Sequence, residues 1–382
     1  MSLKFYLSIM NIAVNTRFLI KDRLEGIGWF TYESLKRITQ QHPEHHFIFL
    51  FDRPFPEEFI FSSNVTGKIL FPPARHPLLW YWWFEWTIPA VLNKLRPDIF
   101  LSTDGYLSLS APCRQVIVLH DLAFEHFPDH INQLASTYYR YFTPKFAHKA
   151  NRIATVSEFS KQDIVKLYKI DPEKIDVVYN GSHESFQPLG LEERKKVKKE
   201  FSSGFDYLIY VGALQPRKNI INLFLAFDEF KSRNPGDLKL VTVGRNWSYS
   251  EALKVHSSMQ FKDDVIFLNH LSRTDLSRLI GASLALVYVS LFEGFGIPII
   301  EAMNCDVPVL SSNASSMPEV TGDAGLLADP YSVTDIVNKM EQLCCDERLR
   351  AELIEKGKIQ RQKFTWQRTA DELWKCIITA AT

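Results

Sequence analysis

Much of what marks specialised proteins is missing from this sequence. Lys plus Arg and Asp plus Glu are equal at 44 each, so no net field draws the chain to nucleic acid or to an anionic bilayer. No run reaches the roughly 20 apolar residues that a membrane-spanning helix needs. The apolar opening, MSLKFYLSIM, is short and lacks the small-residue cleavage site of a secretory signal; it reads as a leader or as a start upstream of Met10. Five cysteines without framework spacing exclude a disulfide scaffold and suggest reduced thiols in a cytoplasmic setting. Neither a P-loop nor a Cys/His cluster with metal-ligand spacing occurs, and His42, His45, His46 and His76 read as surface or strand-end residues.

What is present is a globular chain of 382 residues, 46% hydrophobic, long enough for two domains of about 150–200 residues each. Strands are expected at 11–15, 46–51, 98–101, 115–119, 152–156 and 175–179. The turn at Asn180-Gly181 precedes a domain boundary near 186. The segment EGIGW (25–29) opens a helix, but Gly26 and Gly28 are followed by Trp29, Phe30 and Thr31. Without a third glycine this is no dinucleotide fingerprint, which leaves a tight turn or a loop that lets phosphate approach. The strand 115–119 ends directly in His120-Asp121, where open parallel sheets bind ligands; capping is the other reading of Asp121. Residues 77–95 carry Trp80, Trp82, Trp83 and Trp86. Such a helix is aromatic on more than one face, which fits either packing between sheet and neighbour or contact with a membrane surface or lipid acceptor.

The charge run 192–200 pairs acids and bases four apart, as on a solvated helix, and no nucleic-acid contact is expected. Beyond it, strands at 207–211, 238–243, 265–268, 284–289 and 307–310 alternate with helices near 218–233, 248–259, 273–281 and 298–304. Alternation with short links means βαβ units and a parallel sheet covered on both faces. Helices near 332–345 and 347–362 follow, and Phe364-Thr365-Trp366 opens a last one.

The most informative stretch is SLFEGFGIPIIE, 290–301. It reads as a strand end, a turn loosened by Gly294 and Gly296, and a helix start with Pro298 where a missing N–H costs nothing. Open N–H groups there, Ile297 among them, suit an anion, and glycines let a phosphate come close. Glu293 and Glu301 bracket that anion site. A nucleotide sugar reconciles the two, offering phosphates to the N–H groups and hydroxyls to the carboxylates. Gly212 and the cations Arg217 and Lys218, after the strand 207–211, suit the same diphosphate.

Glutamates eight apart around GFG and a proline, with VGALQPRKN (211–219) and MPEVTGDAGLLADP (317–330), resemble the retaining glycosyltransferases of family 4, or group 1. The resemblance covers nearly all of the C-terminal half and thins in the N-terminal half. It implies an α/β GT-B architecture, two Rossmann-like doubly wound parallel-sheet domains facing across a cleft. The N-terminal acceptor domain would span 1–186 and the donor domain 187–363, with a helix at 364–382 crossing back to the first. It further implies that His120 and Glu293 act at the donor sugar, with Gly294, Phe295 and Asp121 around it. Arg217, Lys218, Gly26, Gly296 and Ile297 would hold the diphosphate, and Glu301, His270 and Leu271 the ribose and base. Many members carry an arginine directly after the glycine where this chain has Ala213, so Arg217 must supply that charge.

No two aspartates stand in a D-x-D pair, which fits the metal-independent, cofactor-free site the family resemblance implies. The PRKN form resembles bacterial mannosyltransferases of surface-polysaccharide synthesis. The expected reaction is hexose transfer from a GDP- or UDP-sugar to a glycan or lipid-linked acceptor, in the cytoplasm or at the inner membrane face. Epimerisation or phosphorolysis on the same fold, or glycan binding without catalysis, are the competing readings. A phosphorylase would need a pyridoxal lysine that has no evident place in the chain.

Overall fold

The structure, a computed structural model, describes residues 9–244 and 250–382; the first eight residues and positions 248–249 of the expected helix 248–259 lie outside them. The chain forms two compact units. One holds the chain up to Asn180 together with Trp366–Thr382, the other Gly181–Thr365. The division therefore falls ahead of 186. Residues after it are tied to the second unit, where Ser277 Oγ donates to the Ser185 carbonyl at 2.5 Å and Phe186 is buried.

The first unit is built on a seven-stranded sheet: β1 (Asn11–Asn15), β2 (His46–Phe51), β3 (Val65–Ile69), β4 (Ile99–Ser102), β5 (Arg114–Leu119), β6 (Arg152–Thr155) and β7 (Ile175–Val177), ordered β3-β2-β1-β4-β5-β6-β7. The second has β8 (Tyr207–Val211), β9 (Lys239–Val243), β10 (Val265–Leu268), β11 (Ala285–Tyr288), β12 (Val309–Ser312) and β13 (Gly325–Ala328), ordered β10-β9-β8-β11-β12-β13. Every strand pair is parallel. The central strands are continuous apolar runs because both faces are covered; Tyr207 through Tyr210 of β8 are fully buried. In each sheet the order reverses beside the first strand, between β1 and β4 and between β8 and β11, and that reversal opens the crevice where such sheets bind ligands.

Two strands were not anticipated, and both are edges. β3 is largely exposed and holds Gly67 against the Phe55 ring, where a Cβ would lie 2.2 Å from ring carbon Cζ. β13 begins at Gly325, where a Cβ would meet the Val309 carbonyl oxygen at 2.8 Å. Short, glycine-bearing edge strands carry little periodic signal. The helix Gln133–Lys149 was also missed; it is rich in aromatic residues and contains Pro144.

The last helix, Trp366–Ala381, packs within the first unit. Leu373, Cys376 and Ile377 are fully buried on it, and Thr369 Oγ1 donates to the Tyr179 carbonyl at 2.6 Å. Trp374 stacks on His42 with ring centres 3.9 Å apart. His45, expected at the surface or a strand end, is buried, and its Nδ1 accepts the Met10 N–H at 3.1 Å.

The tryptophan run divides between core and surface. It forms helices Pro77–Trp82 and Ile88–Leu95 joined through a π turn, Trp83–Thr87. Trp83 and Phe84 enter the core, while Trp82 (52% exposed) and Trp86 (60%) stack on each other at the surface, 5.4 Å apart.

Candidate active site

In the second unit, the turn after β8 and the loop after β11 meet at the point where the strand order reverses. Leu291 N–H donates to the Arg217 carbonyl at 2.8 Å. Asn219, at φ +60°, donates its amide to the Val289 carbonyl at 2.9 Å and the Pro330 carbonyl at 2.7 Å. This stitching places both cations over the Glu293 carboxylate. Arg217 Nη1 donates to Glu293 Oε2 and to the Phe292 carbonyl, each at 3.0 Å. Lys218 Nζ pairs with Glu293 Oε1 and reaches Tyr288 Oη at 3.0 Å, and Tyr288 Oη donates to the same Oε1 at 2.8 Å.

Burial alone would raise the Glu293 carboxyl, but the charges of Lys218 and Arg217 and the hydrogen bonds from Lys218 and Tyr288 outweigh it and hold the group down at about 2. The backbone around it is equally fixed. Glu293 N–H donates to Ser315 Oγ at 3.0 Å, and Ser316 Oγ donates to the Glu293 and Phe295 carbonyls at 2.9 Å. Gly296 caps the helix Ile297–Asn304 at φ +105°, a backbone that side chains rarely adopt. Pro298 lacks an N–H and Ile299 N–H turns back to the Gly296 carbonyl, which makes Ile297 the N–H donor among the first three positions.

About one turn into the helix Ile297–Asn304, Glu301 sits in a different setting. Burial pushes its carboxyl up to about 7, and Arg273 pulls against that rise. Arg273 opens the helix Arg273–Ala282, capped by Ser272, directly after His270 and Leu271, which are exposed and half-buried respectively. The structure thus brings Arg217, Lys218, Glu293 and the Gly296 turn together, and sets Glu301 near the loop carrying His270 and Leu271.

Other expected residues stand differently. The Phe295 ring is buried edge-on against Phe364, 5.4 Å between centres, so its side chain serves the core. Asp121 Oδ1 accepts the Ala123 N–H at 2.9 Å, just ahead of the short helix Ala123–His126. Gly26 starts the helix Gly26–Gln41 in open space, whereas Gly28 is the glycine that packing demands, with a Cβ there 3.0 Å from the Phe18 carbonyl oxygen. His120 lies at the end of β5, its Nε2 donating to the Thr103 carbonyl at 2.9 Å. Burial lowers the His120 pKa despite that carbonyl, Asp121 and Asp104, and in a neutral ring that donates from Nε2 the acceptor is Nδ1. Tyr288, Ser315, Ser316 and Arg273 carried no sequence signal beyond their positions near strand ends.

The comparisons with known proteins decide the family. Residues 192–360 match the model of glycosyl transferases group 1, and residues 24–185 that of glycosyltransferase family 4. O-antigen chain mannosyltransferase B of Escherichia coli is 30% identical over 361 residues, covering 91% of this chain and 94% of the relative. The chain belongs to the group 1, family 4 glycosyltransferases. This glycosyltransferase is also 31% identical to the O-antigen chain mannosyltransferase RfbU of Salmonella typhimurium, over 73% of its length and 75% of the relative's. Its fold is GT-B: Anabaena HepE, solved in complex with UDP-glucose, superposes with a TM-score of 0.73 at 18% identity, covering 97% of this chain and all of that one. Among the described residues no helix is long and apolar enough to cross a membrane.

Proposed function

We propose that this glycosyltransferase moves a hexose, mannose in the first instance, from a GDP- or UDP-sugar to a glycan or lipid-linked acceptor with retention of anomeric configuration. The observation that carries the reading is the Arg217–Lys218–Glu293 cluster at the strand-order reversal. Breaking a sugar–diphosphate bond leaves negative charge on the departing phosphate. Arg217, Lys218 and Ile297 N–H are the donors that would meet it, in place of a divalent cation. With the cations engaged by phosphate, Glu293 turns to the sugar hydroxyls, and Glu301 accepts from the ribose. His120 keeps the role the resemblance gives it, contact with the donor sugar, through Nδ1.

No protein nucleophile is needed on this route: the departing phosphate takes the acceptor proton as the new bond forms on the same face. The mannosyltransferase names of the relatives favour mannose over other hexoses. Exposed Phe71, Leu78, Tyr81, Trp82 and Trp86 have the composition of a membrane-interface belt, which favours a peripheral position beside a lipid-linked acceptor. The test is incubation with GDP-mannose and UDP-hexoses, with and without EDTA, scoring released nucleotide and the anomeric configuration of the product. Inverted product, or activity abolished by EDTA and restored by Mg²⁺, would overturn the corresponding part of the proposal.

A further inference from the structure

Where the order of the first sheet reverses, between β1 and β4, a buried polar cluster stands behind His120. Asn15 closes β1 opposite Ser102, which closes β4. The Asn15 amide donates to Ser102 Oγ at 2.9 Å and to Asp104 Oδ1 at 2.8 Å. Ser102 Oγ donates to the same Oδ1 at 3.1 Å. On the other carboxylate oxygen, Arg17 Nε donates to Asp104 Oδ2 at 2.6 Å, and the two side chains are only 4% and 1% exposed. The guanidinium also lies 4.1 Å from the centre of the Tyr106 ring.

These contacts fix the turn from Ser102 to Tyr106, which carries Gly105 at φ +83°. Thr103, inside the turn, is tied to the helix Gly26–Gln41, its hydroxyl 2.8 Å from that of Thr31. Its carbonyl stands 2.9 Å from His120 Nε2, and Phe30 of the same helix meets the imidazole edge-on at 5.0 Å. A carbonyl only accepts, so Nε2 carries the proton in this contact. The hydrogen bond at one ring nitrogen thereby decides what the other offers. A buried ion pair adds little net stability, because desolvation offsets its attraction, but its geometry is demanding. Asp104 follows Thr103 directly, so the grip on its carboxylate governs where the Thr103 carbonyl points.

We propose that Asp104 is a positioning residue for His120: held by Asn15, Ser102 and Arg17, it aims the Thr103 carbonyl so that the imidazole is kept as the Nε2–H tautomer. The consequence for transfer rests on the reading of His120 as a contact to the donor sugar; the tautomer does not.

Ring-nitrogen NMR of the histidine-labelled full chain, without substrate and above the ordinary histidine titration range, reads the tautomer, with His120→Gln identifying the signal. The parent is expected to hold His120 in the Nε2–H form alone. Asn15→Ala keeps the ion pair but frees the turn from β1. It should show a mixture of the two tautomers and a kcat/KM for sugar transfer about tenfold lower, the scale of one hydrogen bond. Free UDP and GDP, which lack the sugar, should bind it as they bind the parent. Asp104→Asn should act in the same direction and further; where its unpaired Arg17 cation prevents folding, Asn15→Ala decides alone. Leu35→Ala, a truncation of a fully buried side chain on the helix Gly26–Gln41, loosens the unit without touching the turn and should keep the parent's tautomer. A mixture or the Nδ1–H form in the parent overturns the proposal. So does a single Nε2–H form in Asn15→Ala, or a mixture in Leu35→Ala as well. Mixed tautomers in Asn15→Ala with transfer intact would uphold the positioning and remove His120 from the donor sugar, so the two readings fail separately.

Discussion

Arg217 and Glu293 follow neighbouring strands, β8 and β11, and their side chains meet at 3.0 Å with Lys218 on the second carboxylate oxygen. In this state the carboxylate occupies the cations that a diphosphate would use. Donor binding then amounts to exchange of one anion for another. Glu293→Gln removes the competing charge while keeping the shape. Free UDP or GDP is expected to bind the variant as tightly as the parent or tighter, whereas sugar transfer falls by about 10²–10³, the scale of losing one charge-stabilising group. Calorimetric titration beside turnover checks this, and weaker nucleotide binding by the variant would show that the carboxylate organises the cations instead of competing for them.

Asn219 holds the two loops together from a left-handed backbone. Asn219→Ala leaves the Val289 and Pro330 carbonyls without its amide and puts a Cβ side chain with no local hydrogen bonding at φ +60°. The Pro330 carbonyl keeps the Asn222 amide at 2.9 Å, so one buried acceptor, that of Val289, and the backbone strain together cost about 3 kcal/mol. Asn219→Gly relieves only the strain, roughly 1 kcal/mol of that loss. Urea unfolding of the three proteins separates these contributions, and equal stability of the two variants would remove the strain from the account.

The parts of this site visible in the sequence are those with local causes. Gly294, Gly296 and Pro298 mark a strand–turn–helix without reference to anything distant, and the repeated strand–helix alternation announces the parallel sheets. What could not be read acts across the chain. Ser315 and Ser316 fix the Glu293 backbone from 22 and 23 positions away, and Tyr288 matters because Lys218 reaches it from the neighbouring strand's turn. Gly244, unremarked in the sequence, lets β9 end against β8: a Cβ there would lie 2.0 Å from the Gly212 carbonyl oxygen. Phe295 misleads in the opposite direction, since its motif position suggests substrate while its ring fills a gap beside Phe364.

Glu301 makes nucleotide affinity depend on pH. Its folded value of about 7 lies above the ordinary 4.5, so burial of the neutral acid favours the folded over the unfolded chain below 4.5, and that contribution is lost as pH rises through 7. Ribose hydroxyls donate best to the ionised form. Nucleotide affinity is therefore expected to rise as pH increases through about 7, and Glu301→Gln should flatten that rise. Titrations of UDP and GDP across this range decide it; an unchanged slope in the variant would assign the dependence to another group.

The tryptophan segment offers a contrast between neighbours on one helix. Trp83 is fully buried, and Trp83→Ala should cost about 3–5 kcal/mol of folding stability. Trp82 and Trp86 stack on each other in solvent, so the double change Trp82→Ala with Trp86→Ala removes little that folding needs. If this face rests in the headgroup layer, the same double variant gives up the transfer of two half-exposed indoles out of water, at about 25 cal/mol per Å². Its partitioning onto anionic vesicles should fall by tenfold or more, an amount of about 1.4 kcal/mol that the exposed area readily supplies. Vesicle sedimentation paired with thermal unfolding checks both arms. Parent and double variant partitioning alike would remove the membrane from the proposal and leave the stack as an ordinary exposed pair.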